Sequence, residues 1–217
     1  EGADRKAEPG DYYLSEQEEE ELKAITECYD NTIVVLNVGG VMDVSFLEKY
    51  NIAALVMLSQ AGMEGGNALA DVLSGAVTPS GKLTDTWGCH YEDYPSSATF
   101  SHNNGNIIEE KYYEGIYVGY RYFDSFEVEP RYPFGYGMSY TTFDVATENA
   151  AWKPDAEPKT ITVTVKVTNT GSCAGKEVVQ IYAACPFGKL KKERKRLVAF
   201  GKIALLQPGE SGTLHLK

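Results

Sequence analysis

The chain has 217 residues, 43% of them hydrophobic and 24% charged, with a formal net charge of −11. That length supports one large or two small domains with a real core, and the negative balance argues against nucleic acid and anionic membranes as partners. No run of about 18 apolar residues occurs, so no membrane-spanning helix is expected. The start Glu1-Gly2-Ala3-Asp4 has neither a basic cluster nor an apolar signal core. It reads as an internal start, with the cytoplasm as the favoured compartment.

The first ninety or so residues alternate helix and strand signals. Ser15-Glu16-Gln17-Glu18 has the form of a capping box, and the acidic first turn suits a helix N-terminus. Leu22, Ile25 and Tyr29 then mark one helical face. Thr32 to Asn37 predicts a buried strand, followed by Gly39-Gly40 and a short helix around Val44 to Tyr50. Ile52 to Ser59 predicts a second such strand. Asn67 to Ser74 carries Leu69, Val72 and Leu73 at helical spacing, closed by Gly75 as the residue past the C-cap. Strands that are apolar throughout and separated by helices predict an α/β domain whose mostly parallel sheet is covered on both faces.

Residues 91 to about 138 are dense in Tyr and Phe and punctuated by Gly and Pro, which predicts a long irregular connection. So aromatic a segment is expected to pack on its own domains rather than to stack on substrate. From Phe143 the pattern becomes period-two. Ile161, Val163, Val165 and Val167 share one face, Asn169-Thr170-Gly171 turns the chain, and strands follow at Val178 to Ala184, Leu197 to Leu205 and Thr213 to Leu216. This is the opening of a β-sandwich, with about five strands where seven are usual. The expected domains are therefore 1–138 and 139–217, the second stopping short.

The cysteines Cys28, Cys89, Cys173 and Cys185 show no CxxC pair and no metal spacing, and reduced thiols are expected. The basic run Lys189 to Arg196 reads as a solvated loop between strands, with no interleaved aromatics to stack on bases. Chemistry points instead to Gln60-Ala61-Gly62-Met63-Glu64-Gly65-Gly66, where a buried strand ends and a helix begins. Ligands in open α/β sheets sit at such carboxyl ends, and Gly62, Gly65 and Gly66 leave room beside Glu64. Glycines plus Glu at a strand–helix turn are, taken alone, often only a loop and a helix start. Phosphate-loop, nucleophile-elbow and zinc-protease motifs are all missing. What remains is acid/base chemistry by carboxylates, with no metal and no cofactor.

The chain resembles the C-terminal half of family 3 glycoside hydrolases from Glu1 to Lys217. Glu1-Gly2-Ala3-Asp4-Arg5 is similar to the family's E-G-x-D-R element. Gln60 to Gly66, Ala70-Asp71-Val72-Leu73-Ser74-Gly75 and Pro79-Ser80-Gly81-Lys82-Leu83 resemble its G-x-E-x-G…A-D-V-L-x-G…N-P-S-G-K-L block, with Thr78 where Asn is usual. Ile116 to Asp124 and Tyr132 to Thr141 resemble two further blocks. Val167 to Gly171 and Ala174 to Tyr182 resemble the fibronectin type III-like domain of the same enzymes.

The resemblance implies a partial α/β sandwich followed by an incomplete fibronectin type III-like β-sandwich, taken from a retaining, exo-acting β-glycosidase, most simply a β-glucosidase. It places the general acid/base at Glu64 and the nucleophilic Asp on a (β/α)8 barrel elsewhere in the parent protein. Retention needs the two carboxyl groups about 5–5.5 Å apart, so they must meet where the domains meet. The implied partners are a β-glycoside or oligosaccharide substrate and that barrel; this chain alone is expected to be inactive. The competing reading is a non-catalytic carbohydrate-binding or structural module derived from the same family, which need not keep Glu64.

Overall fold

A computed structural model describes residues 6–102, 105–155, 157, 159–186 and 188–217. The Glu1 to Arg5 element lies outside the described residues. Contacts group the chain into two compact units, Glu1–Leu69 with Asp85–Phe134, and Ala70–Thr84 with Gly135–Lys217.

The first unit opens with α1, Glu16–Cys28. The capping box predicted for it forms: the Glu18 N–H donates to the Ser15 hydroxyl, and the Ser15 N–H donates back to the Glu18 carboxylate at 2.8 Å. None of its residues is buried, and Ile25 and Tyr29 stand 46% and 66% exposed, so the apolar face read from the sequence is a surface here. The helix is tied instead through Glu19, which accepts from Lys49 at 2.8 Å and from the Tyr50 hydroxyl at 3.2 Å.

Strands β1, Ile33–Leu36, and β2, Ala54–Met57, pair in parallel with Ile33 opposite Ala54 and Leu36 opposite Met57; α2, Phe46–Lys49, lies between them in the chain. A parallel pair requires such a crossover. The sheet is not covered on both faces as its composition predicts. Ile33 is 49% exposed, because two four-residue strands and a one-turn helix offer little area to lay over one another. The apolar interior of this unit is Tyr12, Leu36, Met42, Val44, Phe46, Trp87 and Phe123. Burial first, then the neighbouring Tyr94 and Asp43, keep the Tyr12 hydroxyl protonated far beyond its ordinary range.

The aromatic stretch is mostly irregular, as predicted, with one α-helix in it. Helix α4 occupies Tyr120–Phe126, with Gly119 before it at φ +55 and Glu127 in the left-handed region after it. Its rings interlock: Tyr120 lies 5.0 Å from Phe134, Tyr122 4.9 Å from Phe126, Tyr117 5.1 Å from Phe126, and Phe123 packs edge-on to Tyr94 at 5.7 Å. Offset and edge contacts of this kind hold a helix that its propensities alone would not favour.

The second unit contains two antiparallel sheets. One has the order β3–β4–β7, formed by Phe143–Lys153, Thr160–Asn169 and Ser211–Leu216; the other pairs β5, Val178–Ala183, with β6, Arg196–Lys202. Val165, Val167, Val179, Ile203, Leu206 and Leu216 form its core. The alternation in β4 works as predicted for Val165 and Val167, which are 1% and 0% exposed, whereas Ile161 is 52% exposed. Pairing with β7 ends at Val163 opposite Leu216, so Ile161 projects beyond the covered part of the sheet. The basic run occupies the connection between β5 and β6, where Glu193 is buried and ion-paired with Arg196 and the Lys195 ammonium sits 5.0 Å from the centre of the Tyr182 ring. All four cysteines are free thiols.

Candidate active site

Strand β2 delivers the chain into a turn whose backbone is unusual. Ser59 and Gln60, neither of them glycine, adopt φ of +56 and +49, and Gly62 follows at +75. Left-handed conformations cost a non-glycine residue about 1–3 kcal/mol each and persist only where surroundings fix them; they concentrate at functional sites. Helix α3, Gly65–Leu73, begins directly after this turn. The Gly65 N–H donates to the Gly62 carbonyl at 3.1 Å, and the Ala68 N–H donates to the Glu64 carbonyl at 2.9 Å, which makes Glu64 the residue that opens the helix. A Cβ at Gly65 would approach the Ala61 Cβ to 3.1 Å, so this glycine keeps the turn tight.

The Glu64 side chain is exposed, and one carboxylate oxygen accepts from the Asn67 amide at 2.6 Å. Met63 beside it is fully exposed. The arrangement presents an outward carboxylate, steadied by an amide one turn along the same helix. Such a group can give or take a proton from a ligand without its own hydrogen bond being rebuilt. Among the described residues no group of three or more His, Cys, Asp or Glu is placed to hold a metal ion.

Two sequence blocks far apart in the chain meet in the second unit. The Leu83 N–H donates to the Tyr136 carbonyl and the Gly135 N–H donates to the Leu83 carbonyl, each at 2.8 Å. The Lys82 ammonium reaches the Gly137 carbonyl at 2.8 Å and the Glu177 carboxylate at 2.9 Å. The Tyr140 hydroxyl donates to the carbonyl of Val72, in the last turn of α3, at 2.8 Å, and Gly75 leaves that helix at φ +78.

The family model described as the glycosyl hydrolase family 3 C-terminal domain matches residues 1–140, and that of a fibronectin type III-like domain matches residues 177–217. The chain belongs to glycosyl hydrolase family 3. Beta-glucosidase A of Butyrivibrio fibrisolvens is 44% identical over 93% of this chain and 26% of its own length. A beta-glucosidase of Ruminococcus albus is 40% identical over 99% of this chain and 22% of its own. This family 3 chain thus spans about a quarter of the length of the curated relatives it matches. Among solved structures, a beta-glucosidase from Paenibacillus barengoltzii superposes with a TM-score of 0.89 at 44% identity, over 98% of this chain and 23% of that one. Beta-glucosidase 3B of Thermotoga neapolitana, solved in complex with glucose, gives 0.88 at 42% identity, over 99% of this chain and 30% of that one.

Within this family frame, Asn67 is the residue that sequence reading missed at the turn. Its only signal was the spacing of three from Glu64, which puts the two side chains on neighbouring positions of one helix. The left-handed backbone at Ser59 and Gln60 had no signal at all, since neither residue type favours it.

Proposed function

We propose that this chain is the acid/base-bearing part of a retaining, exo-acting β-glucosidase that hydrolyses terminal β-D-glycosides. The observation that carries the reading is the exposed Glu64 carboxylate at the β2–α3 turn, in a chain 44% identical to a β-glucosidase. Glu64 protonates the departing glycosidic oxygen while an Asp on a barrel domain of the same protein forms the glycosyl-enzyme. Glu64, now ionised, then takes a proton from the water that releases the sugar. Glucose in the complex of the Thermotoga neapolitana relative supports a glucoside as the substrate class. The division of labour within the chain is an α/β sandwich over 1–138 carrying Glu64 and a fibronectin type III-like domain over 139–217.

The test is leaving-group dependence in the barrel-containing protein. Glu64→Ala should slow substrates with poor leaving groups far more than activated aryl glucosides, whose aglycone departs with little protonation. Added azide should restore turnover of the activated substrates and yield a β-glucosyl azide, because azide attacks the glycosyl-enzyme without a base. Equal loss on both substrate types and no azide product would sink the assignment.

A further inference from the structure

The aromatic segment divides into two populations. Tyr117, Tyr120, Tyr122, Phe123, Phe126 and Phe134 pack ring on ring, whereas Tyr112 and Tyr113 are 81% and 73% exposed. Tyr112 borders a cavity of about 230 Å³ in the first unit, whose other walls are Ser96, Phe100, Ser101, Glu110, Lys111 and Glu114. Both walls are tied by backbone bonds. The Phe100 N–H donates to the Ser96 carbonyl at 2.8 Å on one side, and on the other the Tyr113 N–H donates to Lys111 at 3.2 Å and the Tyr117 N–H to Glu114 at 3.0 Å. Ser101 is held at φ +52, in the left-handed region where a serine is strained. The Lys111 ammonium is 3.4 Å from the Glu109 carboxylate, so its charge is partly answered outside the carboxylates of the cavity.

We infer that this cavity is a carbohydrate-binding subsite that takes one hexopyranose unit of a β-glucoside; only the choice of sugar rests on the β-glucosidase reading. A pyranose offers pairs of adjacent hydroxyls at its rim and a C–H face across its ring. The carboxylates of Glu110 and Glu114 accept from hydroxyls in charge-assisted bonds, the Ser96 and Ser101 hydroxyls both give and accept, and the Tyr112 and Phe100 rings supply apolar faces. The volume lies below the roughly 300 Å³ at which pockets for drug-sized ligands begin, which fits one ring and not an extended chain. Glu110 and Glu114 outnumber Lys111 on the walls, in a chain of net charge −11, which disfavours phosphate-bearing ligands, while the serine hydroxyls and aromatic rings match a neutral sugar. None of the residues that line the cavity belongs to the Glu64 turn.

The test uses the 217-residue chain itself, followed by amide NMR during titration with methyl β-D-glucoside, cellobiose and laminaribiose. Amides of residues 96–101 and 110–114 should shift, and should shift equally in Glu64→Ala. Tyr112→Ala and, separately, Glu114→Gln should each weaken binding about tenfold while the rest of the spectrum stays in place. No shift at those amides with any of the three sugars, or undiminished affinity in both variants, overturns the subsite. The two readings fail separately. Binding here alongside a failed leaving-group test sinks only the acid/base role of Glu64, and hydrolysis that obeys that test without binding here sinks only the subsite.

Discussion

Asn169 shows how much one buried polar side chain can organise. It is fully buried, yet its amide donates to the carbonyls of Cys173 at 2.8 Å and Leu206 at 3.0 Å, while its oxygen accepts from the Thr141 hydroxyl at 2.7 Å and the Gly171 N–H at 3.1 Å. A Cβ at Gly171 would fall 2.3 Å from the Thr141 hydroxyl oxygen, so the Asn-Thr-Gly turn admits no larger residue in this path. Asn169→Ala removes the partner of the Thr141 hydroxyl, the Gly171 N–H and the Cys173 carbonyl, while the Leu206 carbonyl keeps its bond from the Gly175 N–H. Each buried group left unmade costs about 1–3 kcal/mol, with incomplete additivity. A loss of about 3 kcal/mol or more in urea unfolding is expected. Asn169→Asp should do worse near neutral pH, because its carboxylate would face the two carbonyls that now accept hydrogen bonds. A loss under about 1 kcal/mol in both variants would show that water replaces these bonds.

Helix α1 depends on its cap, since it buries none of its residues. Ser15→Ala should cost about 1 kcal/mol of helix stability, visible as a drop in helical circular dichroism and in Tm. The partner Glu18 adds a pH dependence whose sign is fixed. The backbone N–H of Ser15 first, and its hydroxyl second, hold the Glu18 carboxyl below its usual range. Its folded pKa is therefore lower than the unfolded value of about 4.3, so its contribution is complete above that value and fades as pH falls through the folded one. Glu18→Gln should be less stable than the parent at pH 7, with the gap narrowing as pH falls below about 4.3. A gap that persists unchanged in acid would show that shape, and not charge, accounts for the cap. The aromatic segment gives a second contrast at this scale. Phe123 is 2% exposed between Tyr94 and Tyr122, and Phe123→Ala should cost about 3–5 kcal/mol, whereas Tyr113→Ala, at a site 73% exposed, should stay within about 0.5 kcal/mol. Thermal melts of the two variants distinguish an internal core from a surface strip.

At the scale of the whole molecule the decisive quantity is the number of carboxylates that can reach one glycosidic bond. Retaining chemistry uses two, about 5–5.5 Å apart, and the proposed nucleophile belongs to a barrel, while this chain spans about a quarter of its curated relatives. The 217-residue chain by itself should therefore release no nitrophenol from aryl β-glucosides above a blank. Release that disappears on Glu64→Ala would show that a second carboxylate of this chain completes the site. No helix among the described residues is long and apolar enough to cross a membrane.

The sequence by itself determined the features that rest on local rules. The capping box at Ser15 and Glu18, the helix stop at Gly75, the strands near Ile33 and Ala54, and the alternation through Val165 and Val167 each depend on a few neighbouring residues. Motif order carried the family, and glycine spacing carried Glu64 as the residue to question. Tertiary structure decided what local rules leave open. Whether Leu22, Ile25 and Tyr29 face a core depends on what lies opposite them, and so α1 is a surface helix. Within a Gly- and Pro-punctuated stretch that is otherwise mostly irregular, Tyr120–Phe126 became helix α4, where Phe123, Phe126 and Tyr120 each found a ring to pack against. The left-handed backbone at Ser59 and Gln60 is set by the connection between β2 and α3 and by no preference of Ser or Gln. Burial and backbone strain are properties of the assembled chain, and a side chain's own chemistry does not contain them.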